Sequence, residues 1–442
     1  MLEKELISWK SKKEHLPLLI RGARQVGKSY LIEYFGNKYF ENLVVVDFEK
    51  KEEFKLCFKN KDPKEIIKKI ETLTNKKIRP KKTLLFLDEI QKCKDALVSL
   101  RYFKEEMPSL HVIAAGSLME FLLNDENYSF PVGRIEFLYL RPLSFEEFLN
   151  AYKPMFIKKI KNFSLRSPPN EIEHKELLKL LKEYLFIGGM PSSIKTYIST
   201  NSLLESQRIH DRILKAYESD LRKYSFYKKN RYIQEVFHKL PILICEIIKY
   251  TNIDKEIRSR DLKPAIDLLT YSGIINKIFA TTASGLPLHS HYKDYRFKFL
   301  FLDVGLYQTA SQVDAKDFLQ ENILQINKGK IAEQFVGQEL IAYDLPYRNK
   351  SLLFWEKTKK KGGAEIDFVT TIDSKIIPIE VKSGSTGKLK SLQSFLNLKK
   401  SSIGIRISEH RLSFNEKILS IPLYMISLLP ELIKEALKTI KL

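Results

Sequence analysis

Cysteine is nearly missing from this chain: there are three in 442 residues, Cys57, Cys93 and Cys245, far apart and without metal-ligand spacing. That excludes a disulfide framework and a cysteine-ligated zinc site, and it suits a reducing compartment. Long apolar runs are missing too. The most apolar stretch, around Pro241 to Cys245, falls well short of a bilayer span. The N-terminal residues MLEKELISWKSKKEH are charged throughout and hold no apolar core of signal-peptide length, so the expectation is a cytoplasmic protein without a membrane partner. Acidic side chains are in short supply. Against 75 Lys and Arg there are 54 Asp and Glu, a net charge of +21. Such a balance fits a DNA or RNA partner, because neutralising phosphates releases counterions. A general lysine bias also accounts for it, since the lysines are scattered as well as clustered.

What is present is core-forming material. Hydrophobic residues make up 44% of the chain and aromatics 11%, enough for two or three folded domains. The most informative stretch is LPLLIRGARQVGKS, Leu16 to Ser29. An apolar run enters a loop spelling G-x-x-x-x-G-K-S, from Gly22 to Ser29, and an apolar-periodic segment (Tyr30, Leu31, Tyr34, Phe35) leaves it. Strand, loop and helix start are the context a phosphate loop requires. Gly22 and Gly27 let backbone N–H groups curl around a phosphate at a helix N-terminus. Lys28 then reaches the β- and γ-phosphates of ATP, and Ser29 offers its hydroxyl to Mg²⁺.

Two further strand ends complete that chemistry. Leu43 to Phe48 is the continuous apolar run of a doubly covered parallel strand, and Thr83 to Leu87 is a second, running into Asp88 and Glu89. Apolar residues followed by Asp-Glu make a Walker B pattern, with Asp88 supporting Mg²⁺ and Glu89 polarising the attacking water. A third strand, Leu110 to Ala115, ends in Gly116 and Ser117, which places Ser117 beside the γ-phosphate if the strands are neighbours.

These residues, GARQVGKS, LLFLDEIQ (Leu84 to Gln91), AAGSLM (Ala114 to Met119) and VGRIEFLYLRPLSFEEF (Val132 to Phe148), resemble prokaryotic AAA-type ATPases with a winged-helix-like middle region and a restriction-endonuclease-like C-terminal domain. The resemblance implies a nucleotide role for Arg134, sensing phosphate in cis or reaching a neighbouring subunit's γ-phosphate as an arginine finger. A solvated or salt-bridged arginine is the alternative. Arg134 is also the feature that points to a homo-oligomer.

Beyond Pro142 to Phe148, a Ser144-capped helix start, a lysine-rich connector leads to the helix Glu171 to Leu185 and the stop Gly188-Gly189-Met190-Pro191. The helix Arg260 to Ser272 with the strands Ile278 to Thr282 and Phe297 to Leu302 reads as a winged-helix element, flanked by Arg258, Arg260 and Lys263. It enters a major groove or only packs domains together. Asp303-Val304-Gly305-Leu306 resembles the family's boundary landmark.

A second constellation lies near the C-terminus. The helix Gly329 to Tyr343 carries Glu333, the strand Ala364 to Val369 carries Glu365 and Asp367 two positions apart, and IIPIEVK carries Glu380 and Lys382. Asp on one strand and Glu-x-Lys on the next is the pattern of PD-(D/E)XK nucleases, with Ile366 where the simplest motif has Pro. On that pattern Asp367 and Glu380 hold Mg²⁺, Glu333 is an additional ligand, and Lys382 activates water or stabilises the pentavalent phosphate. A fold of this kind also keeps its acids for binding alone.

The expectation is therefore an α/β protein in four parts. Residues 1–150 form a P-loop AAA-type parallel-sheet core, 151–230 a helical connector, 231–310 a winged-helix-like region and 311–442 a restriction-endonuclease-like α/β domain. Its activity is Mg²⁺-dependent ATP hydrolysis coupled to a nucleic-acid or protein partner. The alternatives are a nucleotide-gated nuclease or a slow nucleotide-binding switch.

Overall fold

The computed structural model describes residues 2–116, 133–227, 232–320, 329–349, 351–357, 363–383 and 389–440. It divides into two compact units, one of Met1–Arg141 with Tyr271–Gly273 and Leu345–Asn349, the other of Pro142–Thr270, Ile274–Asp344 and Lys350–Leu442.

The first unit is built on five parallel strands, β1 (Leu18–Arg21), β2 (Asn42–Asp47), β3 (Thr83–Asp88), β4 (His111–Ala115) and β5 (Glu136–Tyr139), in the order β2-β3-β4-β1-β5. Their apolar runs are unbroken because both faces are covered. Leu18, Ile20, Leu84, Phe86 and Ile113 face a core with Trp9, Ile32 and Phe35 from the helices Leu2–Ser11 and Lys28–Tyr39. Leu19, Leu85, Leu87 and Val112 face another with Ile66, Ile70, Leu97 and Phe103 from the helices Pro63–Thr74 and Lys94–Glu106. Alternate residues thus feed alternate cores, as the pleat demands. Because the strands run in parallel, the C-terminal ends of β1, β3 and β4 share one edge of the sheet.

The second unit holds the helices Phe145–Tyr152, Glu171–Ile187, Pro191–Thr200, Leu203–Tyr227 and Ile233–Leu243, and a mixed sheet. That sheet has eight strands, β6 (Ile275–Thr281), β7 (Tyr292–Phe301), β8 (Leu353–Lys357), β9 (Ala364–Ile372), β10 (Lys375–Val381), β11 (Gly404–Ser408), β12 (Ser413–Asn415) and β13 (Ile418–Pro422), ordered β12-β13-β11-β10-β9-β8-β6-β7. The helix Ser259–Tyr271 and the antiparallel pair β6/β7 form where the winged-helix reading puts them. The pair is not a free-standing wing. β6 bonds in parallel to β8 over Phe279↔Leu353 to Thr281↔Trp355, so one sheet runs across the sequence-derived boundary at residue 310. A lone two-stranded hairpin is marginal in water, and pairing with β8 satisfies its open edge.

The two glycine-bearing landmarks of this unit interlock. Asp303 is fully buried and accepts hydrogen bonds from the Gly189 N–H and, at 3.0 Å, the Leu306 N–H, the latter capping the helix Val304–Ala310. Gly188 has φ +68°, and a Cβ there would sit 2.1 Å from Asp303 Oδ1. Gly305 approaches the Phe186 carbonyl so closely that a Cβ would lie 2.7 Å from it. His210 adds a bond to the Ile187 carbonyl at 2.8 Å, and Gln308 donates to the Leu185 carbonyl at 2.9 Å. Asp303→Ala strips two buried N–H groups of their acceptor, at a cost of about 2–4 kcal/mol. The expected result is a clear drop in the thermal unfolding midpoint; a midpoint equal to that of the wild type contradicts this account of the knot.

Candidate functional sites

The loop after β1 is shaped by its glycines. Gly22 has φ +152°, and a Cβ there would lie 2.3 Å from the Leu140 carbonyl oxygen, so no larger residue fits. Gly27, at φ 94° and ψ 24°, turns the chain into the helix Lys28–Tyr39 in a conformation glycine adopts without strain. Lys28 is the first residue of that helix and only 7% exposed. Its ammonium folds back over the loop and donates to the carbonyls of Gly22 at 3.0 Å and Ala23 at 2.9 Å. Burial pulls its pKa down to about 8, with Glu89 and Asp88 opposing the shift. A buried ammonium held by neutral dipoles is a cation still short of an anion.

The acids stand where β3 ends. Asp88 is nearly buried, and burial raises its pKa against the opposing hydrogen bond from the Ser29 hydroxyl. That bond brings a hydroxyl and a carboxylate together, two hard oxygen donors of the type Mg²⁺ takes, so Ser29 and Asp88 fit the ion that accompanies a nucleotide. Glu89 lies in the left-handed region, φ 50° and ψ 43°, which costs a non-glycine residue about 1–3 kcal/mol and turns the chain sharply at the strand end. Its N–H donates to Asp88 Oδ1 at 3.0 Å, and its carboxylate accepts a hydrogen bond from the Gln91 amide. The sequence reading passes over Gln91. Its signal is the Glu-x-Gln spacing on the turn Ile90–Lys92, which returns the amide to the carboxylate two residues before it.

Gly116 closes β4 and is buried, while Ser117 lies outside the described residues. Arg134 is exposed and pairs with Glu105 at 3.2 Å, a carboxylate that Arg101 also approaches at 3.0 Å. The structure thus gives Arg134 the salt bridge named as the alternative. A surface pair of this kind is worth no more than about 1 kcal/mol and does not lock the side chain.

In the second unit the nuclease-pattern residues come together. Between Leu353↔Val369 and Trp355↔Ile366, two steps on β8 match three on β9, so β9 carries an extra residue at Asp367–Phe368. Bulges of this kind re-aim side chains. Here Ile366 and Val369 share the core with Phe395, while Phe368 meets Gly337 on the helix Lys330–Ala342. Asp367 Oδ2 accepts from the Val381 N–H at 2.7 Å, and Lys382 donates to Glu380 Oε1 at 2.6 Å. Burial raises the pKa of Asp367, Glu333 and Glu380; the charges of Asp367 and Glu365 add to the shifts of Glu333 and Glu380, and Glu365 adds to that of Asp367.

One member of this cluster is missing from the sequence reading. Lys298, on β7, is 1% exposed, donates to Glu333 Oε1 at 2.8 Å and pairs with Glu365. Among the described residues, no three His, Cys, Asp or Glu side chains are arranged to hold a metal ion. Glu365, placed by the sequence reading either at the metal or in solvent, pairs with Lys298 while its side chain stays 38% exposed.

Comparison with known proteins divides the chain into three matched segments. Residues 14–149 match the family described as an AAA domain, whereas residues 178–317 and 328–426 match two families described as domains of unknown function. A relative, an uncharacterized protein of Methanocaldococcus jannaschii, is 24% identical over 415 residues, covering 90% of this chain and 83% of its own length. Solved structures with some likeness include AMPPCP-bound DnaA from Aquifex aeolicus (14% identity, TM-score 0.28, covering 61% of this chain and 86% of that one). Cdc6p from Pyrobaculum aerophilum is another (11% identity, TM-score 0.24, covering 72% and 92%). TM-scores this low carry no argument about function. The family matched by the C-terminal part carries no description beyond a domain of unknown function. On its glycine loop, its parallel sheet and its family match, the segment 14–149 is an AAA-type P-loop domain.

Proposed function

We propose that this protein binds ATP at the loop from Gly22 to Ser29 and hydrolyses it, and that turnover drives its action on a partner bound through the second unit. The observation that carries the reading is the buried Lys28 ammonium, held by loop carbonyls in the first unit together with Ser29, Asp88 and Glu89. On binding, the triphosphate replaces the two carbonyls as the partner of Lys28, exchanging neutral acceptors for charge-assisted hydrogen bonds. Gly22 and Gly27 leave the backbone amides free of side-chain obstruction around the phosphates. Ser29 and Asp88 would hold Mg²⁺, which supplies charge neutralisation at the β- and γ-phosphates.

Glu89 takes the proton of the attacking water. Its left-handed backbone turns the chain at the strand end, and the Gln91 amide holds its carboxylate. This is positioning plus electrostatics, which is most of what phosphoryl transfer requires. For the partner, the surplus of 75 basic over 54 acidic residues favours a nucleic acid, whose phosphates exchange condensed cations for lysine and arginine. A role for Arg134 at the nucleotide requires it to leave Glu105, and a neighbouring copy of the chain would supply the reason to do so.

The test is steady-state ATPase activity beside nucleotide binding. Glu89→Gln keeps ATP affinity near that of the wild type and loses turnover by about 10²–10⁴-fold, the usual worth of a positioned base. Unchanged turnover in that variant removes Glu89 from the reaction. Gln91→Ala leaves binding intact and lowers kcat by about tenfold or more, because the carboxylate is then no longer held in place. A Gln91→Ala enzyme with wild-type kcat shows that the amide does not position Glu89.

A further inference from the structure

The carboxylate cluster of the second unit already contains its cation. Lys298 comes from β7, with its backbone paired to Ile278 of β6. Its ammonium reaches Glu333 on the helix Lys330–Ala342 at 2.8 Å and Glu365 on β9, and lies 5.3 Å from the centre of the Phe354 ring on β8. Three secondary-structure elements besides its own therefore surround one charge. At 1% exposure the side chain is enclosed, in contrast to the half-exposed lysines and arginines of the surface pairs.

The other members are committed as well. Asp367 accepts from the Val381 N–H, and Glu380 from Lys382. Glu380 Oε2 is a buried oxygen without a hydrogen-bond donor, and a single oxygen is not a coordination shell. A divalent ion on Glu333 Oε1 or Glu380 Oε1 would sit at about 2.0–2.6 Å from an oxygen that already accepts from a lysine ammonium, placing two like charges side by side. One cation or the other is accommodated there.

We infer that Lys298 is the resident cation of the Glu333–Glu365 side of this cluster, taking up the carboxylate that a PD-(D/E)XK pattern offers as an additional metal ligand, and that the cluster of this chain is a metal-free ion network joining β7, β9 and the helix Lys330–Ala342. The network ties the edge of the eight-stranded sheet to the helix that covers it. It also separates this unit from metal-assisted phosphodiester cleavage, so partner binding, not cutting, is what remains to the nuclease pattern. The inference is independent of ATP hydrolysis, which concerns the other unit.

The experiment counts Mn²⁺ bound to the nucleotide-free, full-length protein by electron paramagnetic resonance, for the wild type and for Asp367→Asn. Asparagine keeps an oxygen for the Val381 N–H, so the fold is retained. Equal Mn²⁺ counts are expected. One more ion on the wild type than on Asp367→Asn overturns the inference. In parallel, Lys298→Met leaves Glu333 and Glu365 without a counter-charge. Its thermal midpoint is expected to fall by several degrees and to recover in millimolar Mn²⁺, whereas a variant as stable as the wild type without metal again overturns the inference. Should Lys298→Met fail to fold, the Mn²⁺ counts decide alone.

Discussion

The constraint on which the nucleotide unit depends is the burial of one ammonium group. Lys28 must be inside the loop to meet a phosphate, and an ammonium inside a protein needs acceptors. The loop supplies them by pointing two of its own carbonyls inward, which it does only because Gly22 closes against Leu140 and Gly27 turns left-handed into the helix. The sheet supplies the rest. With β4 between β1 and β3, the strand bearing Asp88 is two places from the strand that feeds the loop, near enough for the Ser29 hydroxyl to bond the carboxylate.

A second buried lysine in the other unit shows how environment decides the role of the same side chain. Lys28 is held by uncharged carbonyls and its proton is loosened by burial, so an anion improves its situation. Lys298 is enclosed just as fully, yet carboxylates surround it, and Glu333 and Glu365 hold its proton far more firmly than solvent does. The first is a site waiting for charge, and the second already holds its counter-charge. Motif spacing alone does not distinguish them, because the difference lies in which groups face the ammonium.

The sequence makes the first unit legible for a physical reason. A strand covered on both faces must be apolar throughout, so Leu43 to Phe48 and Thr83 to Leu87 announce themselves, and the residues at their ends fall at one edge of the sheet. The second unit is harder because its sheet is assembled from distant segments. The strand pair following the helix Ser259–Tyr271 carries no local mark that β6 will bond to β8, some seventy residues later, as the register Phe279↔Leu353 shows. Lys298 reads as one basic residue among many in YKDYRFKFLF, and only tertiary pairing reveals its carboxylates. The bulge at Asp367–Phe368 is equally silent, since nothing in AEIDFVTTI fixes where an extra residue enters the ladder. Asp303 was recognisable as a landmark, but its partner, the Gly188–Gly189 turn, lies more than a hundred residues earlier.

The measurement that tests the central claim most directly is the proton linkage of ATP binding. Lys28 has a pKa of about 8 without a phosphate beside it, and a triphosphate restores that pKa upward. Affinity must then fall as pH rises through 8, and binding near that pH must take up roughly half a proton. Calorimetry of ATP binding at this pH, in two buffers of different ionisation enthalpy, reads the uptake directly. The account predicts uptake in the wild type that disappears in Lys28→Met together with most of the affinity. Tight binding without proton uptake in the wild type, or binding that Lys28→Met leaves intact, would contradict it.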